Sequence, residues 1–382
     1  MQLGIDASNI RAGGGVTHLV EILKAADPLD HGFERVILWG GMSILNRVAD
    51  RSWLTKVRDP MLDGILPLRV WWQRFKLERL AREAGCNGLL VPGGSYCGSF
   101  RAFVTMSRNM LPFEPYESAR FGTSWPRLRY RLLHRSQSST FLRAQGVIFL
   151  SNYARNTVKA TLAGEIKNEA GIPHGVDNRF FHQPHQQRDI SEYSFHNPFR
   201  ILYVSIINFY KHQWNVAKAI SKLRKNGLPL EIDFVGPAYP PALRRLKTII
   251  SNLDPAGEYI HYRGPVPYEQ LHEIYHKADA FIFASSCENL PNILLEAMAS
   301  GLPIACSNRG PMPEVLGDSG VYFDPEKPGE IADSLSKLIL NLDLRSSFAQ
   351  GAYDRATQYS WTRCANQTFQ FLARIARESA NA

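Results

Sequence analysis

Short apolar runs of four to six residues, each followed by a stretch of helical periodicity, recur along this chain and limit what it can fold into. In the first half the strand-like runs lie at 2–6, 35–39, 88–91, 102–106 and 146–150, with helical patterns at 17–26, 69–84, 125–142 and 151–162. In the second half strand-like runs at 200–205, 231–235, 259–262, 280–284 and 303–306 alternate with helices at 214–226 and 291–300. Strand-then-helix order at this spacing predicts an α/β protein with mostly parallel sheets covered on both faces. At 382 residues the chain exceeds what one core ordinarily holds. The pattern fails in the polar, aperiodic stretch around His182–Asp189. The expected organisation is therefore a domain at 1–182, a linker at 183–199 and a second doubly wound domain at 200–360. An amphipathic helix at 361–382, carrying Trp361, Phe369, Phe371 and Leu372, is expected to pack back toward domain one.

Composition narrows the function classes. A content of 45% hydrophobic and 21% charged residues is that of a folded protein, not a disordered one. Five cysteines, Cys86, Cys97, Cys287, Cys306 and Cys364, show no CxxC or zinc-ligand spacing, which fits a reducing compartment without disulfides or a structural metal. No window approaches about 18 apolar residues, so no spanning helix is expected. Met1–Asp6 enters a strand pattern with no basic n-region, so no signal peptide is expected either. The formal charge of +9 is concentrated: residues 101–160 hold nine arginines and one lysine against Glu114 and Glu117, an excess of +8. Such a field suits an anionic membrane, a nucleic acid or a phosphorylated substrate, and equally a solvated basic face. The arginines lack the aromatic interleaving of a stacking platform and match no reader module, so nucleic acid is not the expected partner.

The chemistry-bearing segment is 285–301, Ser-Ser-Cys-Glu-Asn-Leu-Pro-Asn-Ile-Leu-Leu-Glu-Ala-Met-Ala-Ser-Gly. Pro291 suits a first helical turn and Gly301 a helix exit. Glu288 then precedes the helix and Glu296 falls in its second turn. The backbone N–H groups near Asn289, Leu290, Pro291 and Asn292 offer an anion site. A diphosphate there would have a carboxylate on either side; the alternative is a loop charge and a solvated helix charge. Gly13-Gly14-Gly15 follows the first strand, and Gly236 and Gly264 lie just beyond later ones, where open α/β sheets bind ligands.

The Glu288-to-Glu296 spacing resembles the E-x7-E signature of the GT-B glycosyltransferases, particularly the large retaining family four. The resemblance continues through Gly301-Leu302-Pro303-Ile304-Ala305, Pro313-Glu314-Val315 and the run from Gly317 to Phe323. It implies two Rossmann-like domains facing across a cleft. It also implies transfer of a sugar from a GDP- or UDP-linked donor to a glycan or diphospholipid-linked acceptor, with retained configuration and no cofactor or essential metal. On this resemblance Glu288 and Lys211 are the catalytic residues, Glu288 positioning the sugar and Lys211 meeting the donor phosphates. The implied donor contacts are Gly14, Gly15, Gly236, Lys211, Glu288, Asn289, Leu290, Pro291 and Glu296, the last on ribose hydroxyls. The family's arginine five residues before the lysine is here Ile206, which makes Arg309 the candidate replacement. The family's histidine after the 102–106 strand is here Ser107 or Arg108, making Arg108 and Asn109 the acceptor-side candidates.

Family analogy further implies a mannosyl donor and polysaccharide or lipopolysaccharide assembly. The 65–82 segment combines Trp71, Trp72 and Phe75 with Arg69, Arg74, Lys76, Arg79 and Arg82. It reads equally as an interfacial helix against anionic lipid and as a core-packed helix with a basic outer face. The implied location is cytoplasmic, peripheral on the inner face of the plasma membrane. The readings from other classes are a basic nucleic-acid-binding protein and a non-catalytic glycan-binding protein on the same scaffold; intact Glu288, Glu296 and Lys211 argue against the latter.

Overall fold

The computed structural model describes residues 1–11 and 13–380. The chain divides into two compact units: Met1–Ser118, Gly122–Gly175 and Ser360–Ala382 form one, Ala119–Phe121 and Val176–Tyr359 the other. The stretch expected as a linker at 183–199 thus belongs to the second unit. Gln187 and Tyr193 are buried there, and the almost fully buried Arg345 donates to the Arg188 carbonyl and, at 3.3 Å, to Gln187 Oε1. A guanidinium taken out of water needs such acceptors, and the polar stretch supplies them.

The first unit is a seven-stranded parallel sheet of β1 (Gln2–Asp6), β2 (Arg35–Gly40), β3 (Leu54–Arg58), β4 (Gly88–Val91), β5 (Phe103–Met106), β6 (Gly146–Phe149) and β7 (Glu169–Gly171), in the order β3-β2-β1-β4-β5-β6-β7. The second contains six parallel strands, β8 (Phe199–Val204), β9 (Leu230–Val235), β10 (Ile260–Gly264), β11 (Ala280–Phe283), β12 (Ile304–Ser307) and β13 (Val321–Phe323), in the order β10-β9-β8-β11-β12-β13. Strands buried on both faces read as unbroken apolar runs, and β4, β6, β11 and β12 are buried along their whole length. In each sheet the winding reverses once, between β1 and β4 and between β8 and β11. Loops leaving the carboxyl ends of such a pair splay apart and open a crevice.

The Trp361–Ala380 helix packs on the Gly14–Ala25 helix and on β4. A side chain at Gly146 would put its Cβ 2.7 Å from the Phe371 ring, so this strand position must be glycine for the helix to seat. In the Leu66–Phe75 helix the two tryptophans part company. Trp72 is fully buried with its Nε1 donating to Asp59 at 2.7 Å, whereas Trp71 and Phe75 are 46% and 64% exposed. Of the two readings of this segment, the core-packed one holds for Trp72: consecutive residues lie about 100° apart on a helix, and Trp72 takes the core side. Among the described residues no helix is long and apolar enough to cross a membrane.

Candidate functional site

The loops leaving β8 and β11, the strands that flank the reversal in the second sheet, bring Lys211 and Glu288 together. Lys211 is 3% exposed, and its ammonium bonds the Glu288 carboxylate. The rings of Phe283 and Tyr210 lie 4.9 and 5.3 Å from Nζ, and the lysine carbonyl accepts from Tyr203 Oη at 2.6 Å. Removing one partner of a buried pair typically costs about 3–5 kcal/mol, because the other charge is left unmatched. The pair therefore marks a place where a charge is wanted. A better-packed apolar pair would serve stability alone.

Backbone bonds lock the two loops. Ser286 N donates to the Tyr210 carbonyl at 2.8 Å, and Ser286 Oγ lies 2.9 Å from His212 Nε2. His212 is the one non-glycine residue with positive φ among the described residues, at 51°, and it caps the Gln213–Lys225 helix. That conformation costs roughly 1–2 kcal/mol, an amount the bond to Ser286 offsets in part. Burial first, then the nearby Arg120 guanidinium, pulls the imidazole down to about 4, against the pull of Glu326 and Asp324, so it is neutral at neutral pH.

Next along the chain, Asn289 and Leu290 are buried and Pro291 stands at the N-cap of the Asn292–Ala299 helix. Glu296 lies inside that helix and is buried, which rules out a solvated charge. Tyr275 Oη is 3.2 Å from both Glu296 Oε2 and the Ile293 carbonyl. Burial pushes the Glu296 carboxyl up to about 8, against the hydrogen bonds from Tyr275 and Tyr268 and the Arg179 charge; Asp177 adds to the rise. A neutral carboxyl can donate as well as accept, so one hydroxyl need not serve both acceptors. Gly236 follows β9 with φ of 141°, where a Cβ would fall 2.2 Å from the Ser205 carbonyl oxygen. No other residue fits.

Arg309, the candidate replacement for the arginine absent at Ile206, is half exposed and bonds Asp324 at 2.9 Å. Ile206 itself contributes its carbonyl, which accepts from Gln213 at 3.0 Å. In the first unit Arg108 reaches back to the glycine turn, donating to the carbonyls of Gly14 at 2.7 Å and Gly15 at 3.4 Å. Burial lowers its pKa to about 10, still charged at neutral pH. Asn109 Oδ1 accepts from Leu111 N at 3.1 Å and closes a local turn.

Lys211, Glu288 and the residues from Asn289 to Pro291 thus converge on one crevice edge, with Glu296 in the helix that follows. Sequence reasoning missed His212, Tyr268 and Tyr275. A left-handed backbone at a histidine leaves no compositional trace, and the tyrosines come from β10's following loop and helix, far away in the chain.

Residues 186–355 match the family model for glycosyl transferases group 1. The chain is 34% identical over 110 residues to the O-antigen chain mannosyltransferase B of Escherichia coli, a match covering 29% of this chain and 29% of that protein. The chain's match thus spans less than a third of this relative's length. Among solved structures, sucrose-phosphate synthase from Thermosynechococcus elongatus superposes with a TM-score of 0.77 at 15% identity, over 99% of this chain and 100% of that one. Anabaena HepE in complex with UDP-glucose gives 0.65 at 15% identity, over 100% of both chains. At these identities the likeness is one of fold, and the fold is GT-B.

Proposed function

We propose that this chain, which belongs through residues 186–355 to the group 1 glycosyl transferases and is built on the GT-B fold, moves a hexosyl group from a nucleoside diphosphate sugar to a hydroxyl of a glycan or lipid-linked acceptor. The observation that carries the reading is the pair of buried Lys211 and partly buried Glu288 at the reversal point of the second sheet, directly ahead of a helix N-terminus. An ammonium there stabilises negative charge that grows on a departing diphosphate, and the helix end adds partial positive charge. A donor phosphate would take Glu288's place as the partner of Lys211. The freed carboxylate then accepts from sugar hydroxyls and fixes their orientation. Glu296, neutral at neutral pH and close to Tyr275, suits a vicinal diol such as that of ribose, to which a carboxyl can both donate and accept.

Retention of configuration through attack on the leaving-group side agrees with a Glu288 whose freed carboxylate is occupied by the sugar hydroxyls and does not serve as a nucleophile. The O-antigen chain mannosyltransferase relative favours mannose as the sugar and a polysaccharide or lipopolysaccharide product, and the family resemblance favours a GDP-linked donor. The apolar, basic Leu66–Phe75 helix favours a peripheral contact with anionic membrane, with Ile65, Leu66, Trp71 and Phe75 exposed beside Arg74. Thermal denaturation with a panel of GDP- and UDP-sugars tests the donor reading. One of them should stabilise the wild type by about 2.7 kcal/mol at 100 times its Kd, and Lys211→Ala much less. A panel that leaves the transition unmoved sinks it.

A further inference from the structure

The Trp125–Arg143 helix carries five arginines and no carboxylate. Arg143 turns inward to the carbonyls of Tyr96 and Gly98. The other four are in no ion pair among the described residues; Arg127 meets the Gly122 carbonyl at 3.3 Å. At 3.6 residues per turn Arg127, Arg131 and Arg135 line up as one stripe, and Trp125, Leu128 and Leu132 form the stripe beside it. These three apolar side chains are 68%, 47% and 51% exposed. The arginine stripe and the two leucines, with Tyr130 and His134, face a groove of about 530 Å³ whose far wall is Pro112, Pro115 and Ser118, all within the first unit, and among the described residues no Asp or Glu lines it.

Single exposed leucines need no explanation, but an apolar stripe laid along a row of unpaired guanidiniums does. Each guanidinium presents a planar fork that fits phosphate oxygens two at a time. A bare anion would leave the apolar stripe in water. Tyr130 and His134 also line the groove, so a nucleic acid stacking on aromatic faces is the rival occupant; the exposed Leu128 and Leu132, which stack on no base, favour the amphiphile. We propose that this groove binds an amphiphile with a phosphate- or diphosphate-ester head and an apolar tail, the head on Arg127, Arg131 and Arg135 and the tail along Trp125, Leu128 and Leu132. Calling it the seat of a lipid-linked acceptor rests on the glycosyltransferase reading; the binding itself does not.

The test is calorimetric titration of the full chain with dihexanoylphosphatidic acid below its micelle concentration. Inorganic phosphate, monohexanoylglycerol and a short single-stranded oligonucleotide are the parallel arms. The lipid phosphate should bind saturably and at least tenfold tighter than any of the three. Arg127→Gln with Arg131→Gln should weaken it by about 25-fold, near fivefold per arginine. Arg127→Lys with Arg131→Lys should restore much of the loss, which excludes misfolding as the cause. Leu128→Ser with Leu132→Ser should bring it to the level of inorganic phosphate, and Leu340→Ser, an exposed leucine of the second unit, should leave it unchanged. The proposal is overturned by lipid phosphate binding no tighter than inorganic phosphate, by tighter binding of the oligonucleotide, or by indifference to the arginine pair. Nucleotide-sugar stabilisation measured on the same samples keeps the two readings apart. Lipid-phosphate binding in a protein that no donor stabilises upholds the groove and refutes only the acceptor label.

Discussion

Lys211 and Glu296 are both buried, yet their removal should have opposite signatures. Lys211→Ala leaves Glu288 without its counter-charge and the departing phosphate without its cation. Steady-state kinetics should show kcat lower by about 10²–10³, as for loss of one preorganised donor to a developing anion; an unchanged kcat with only a raised KM would falsify the leaving-group role. Glu296 is instead a matter of protons. Its carboxyl ordinarily titrates at 4.5 and is held to about 8 in the folded chain. Below 4.5 both states keep the proton; between 4.5 and about 8 only the folded state does, so stability drains away as pH rises through that window. His212, pulled from 6.5 down to about 4, works the other way: its contribution is present above 6.5 and lost as pH falls through about 4. Glutamine cannot ionise. Urea unfolding at pH 5 and pH 8.5 should show Glu296→Gln losing less stability over that interval than the wild type, by on the order of a few kcal/mol. Equal losses would mean that burial does not hold the proton. Glu288 and Glu296 were legible in the sequence through their spacing and the helix brackets, Lys211 only through the family resemblance. His212 was not, since its part depends on a backbone angle and on a serine in another loop.

Among the elements, the strands that could be read were those whose stability comes from burial. Gly88–Val91 and Gly146–Phe149 are apolar throughout because helices cover both faces. Leu54–Arg58 and Glu169–Gly171 escaped notice: they are the two edges of the first sheet, partly exposed, and held by ladder hydrogen bonds that leave no hydrophobic pattern. The Leu66–Phe75 helix shows the same limit from another side. Its composition allowed both a membrane face and a core face; the fold buries Trp72 and leaves Trp71 and Phe75 exposed. Trp72→Ala should therefore cost about 3–5 kcal/mol, read by chemical denaturation. Trp71→Ser with Phe75→Ser should leave stability nearly unchanged and lower flotation with anionic liposomes at low salt. Retained flotation in that double variant would remove the helix from the membrane contact.

At the scale of the whole molecule, the first unit is discontinuous: its last helix, Trp361–Ala380, is separated from β7 by Val176–Tyr359 of the second unit. The second unit is nearly continuous, with only Ala119–Phe121 coming from earlier in the chain. During synthesis, β1 to β7 emerge while Phe369, Phe371, Leu372 and Ile375, the side chains that bury against them, have yet to be made. At about 5–20 residues per second the wait is on the order of 10–40 s. The unit made first is thus the one completed last, and in the interval its uncovered apolar face is a target for chaperones. Ribosome-bound chains stalled with Tyr359 just outside the exit tunnel should yield a protease-resistant core from the second unit while the first is still digested. A first unit already resistant at that length would show that its sheet closes without the final helix.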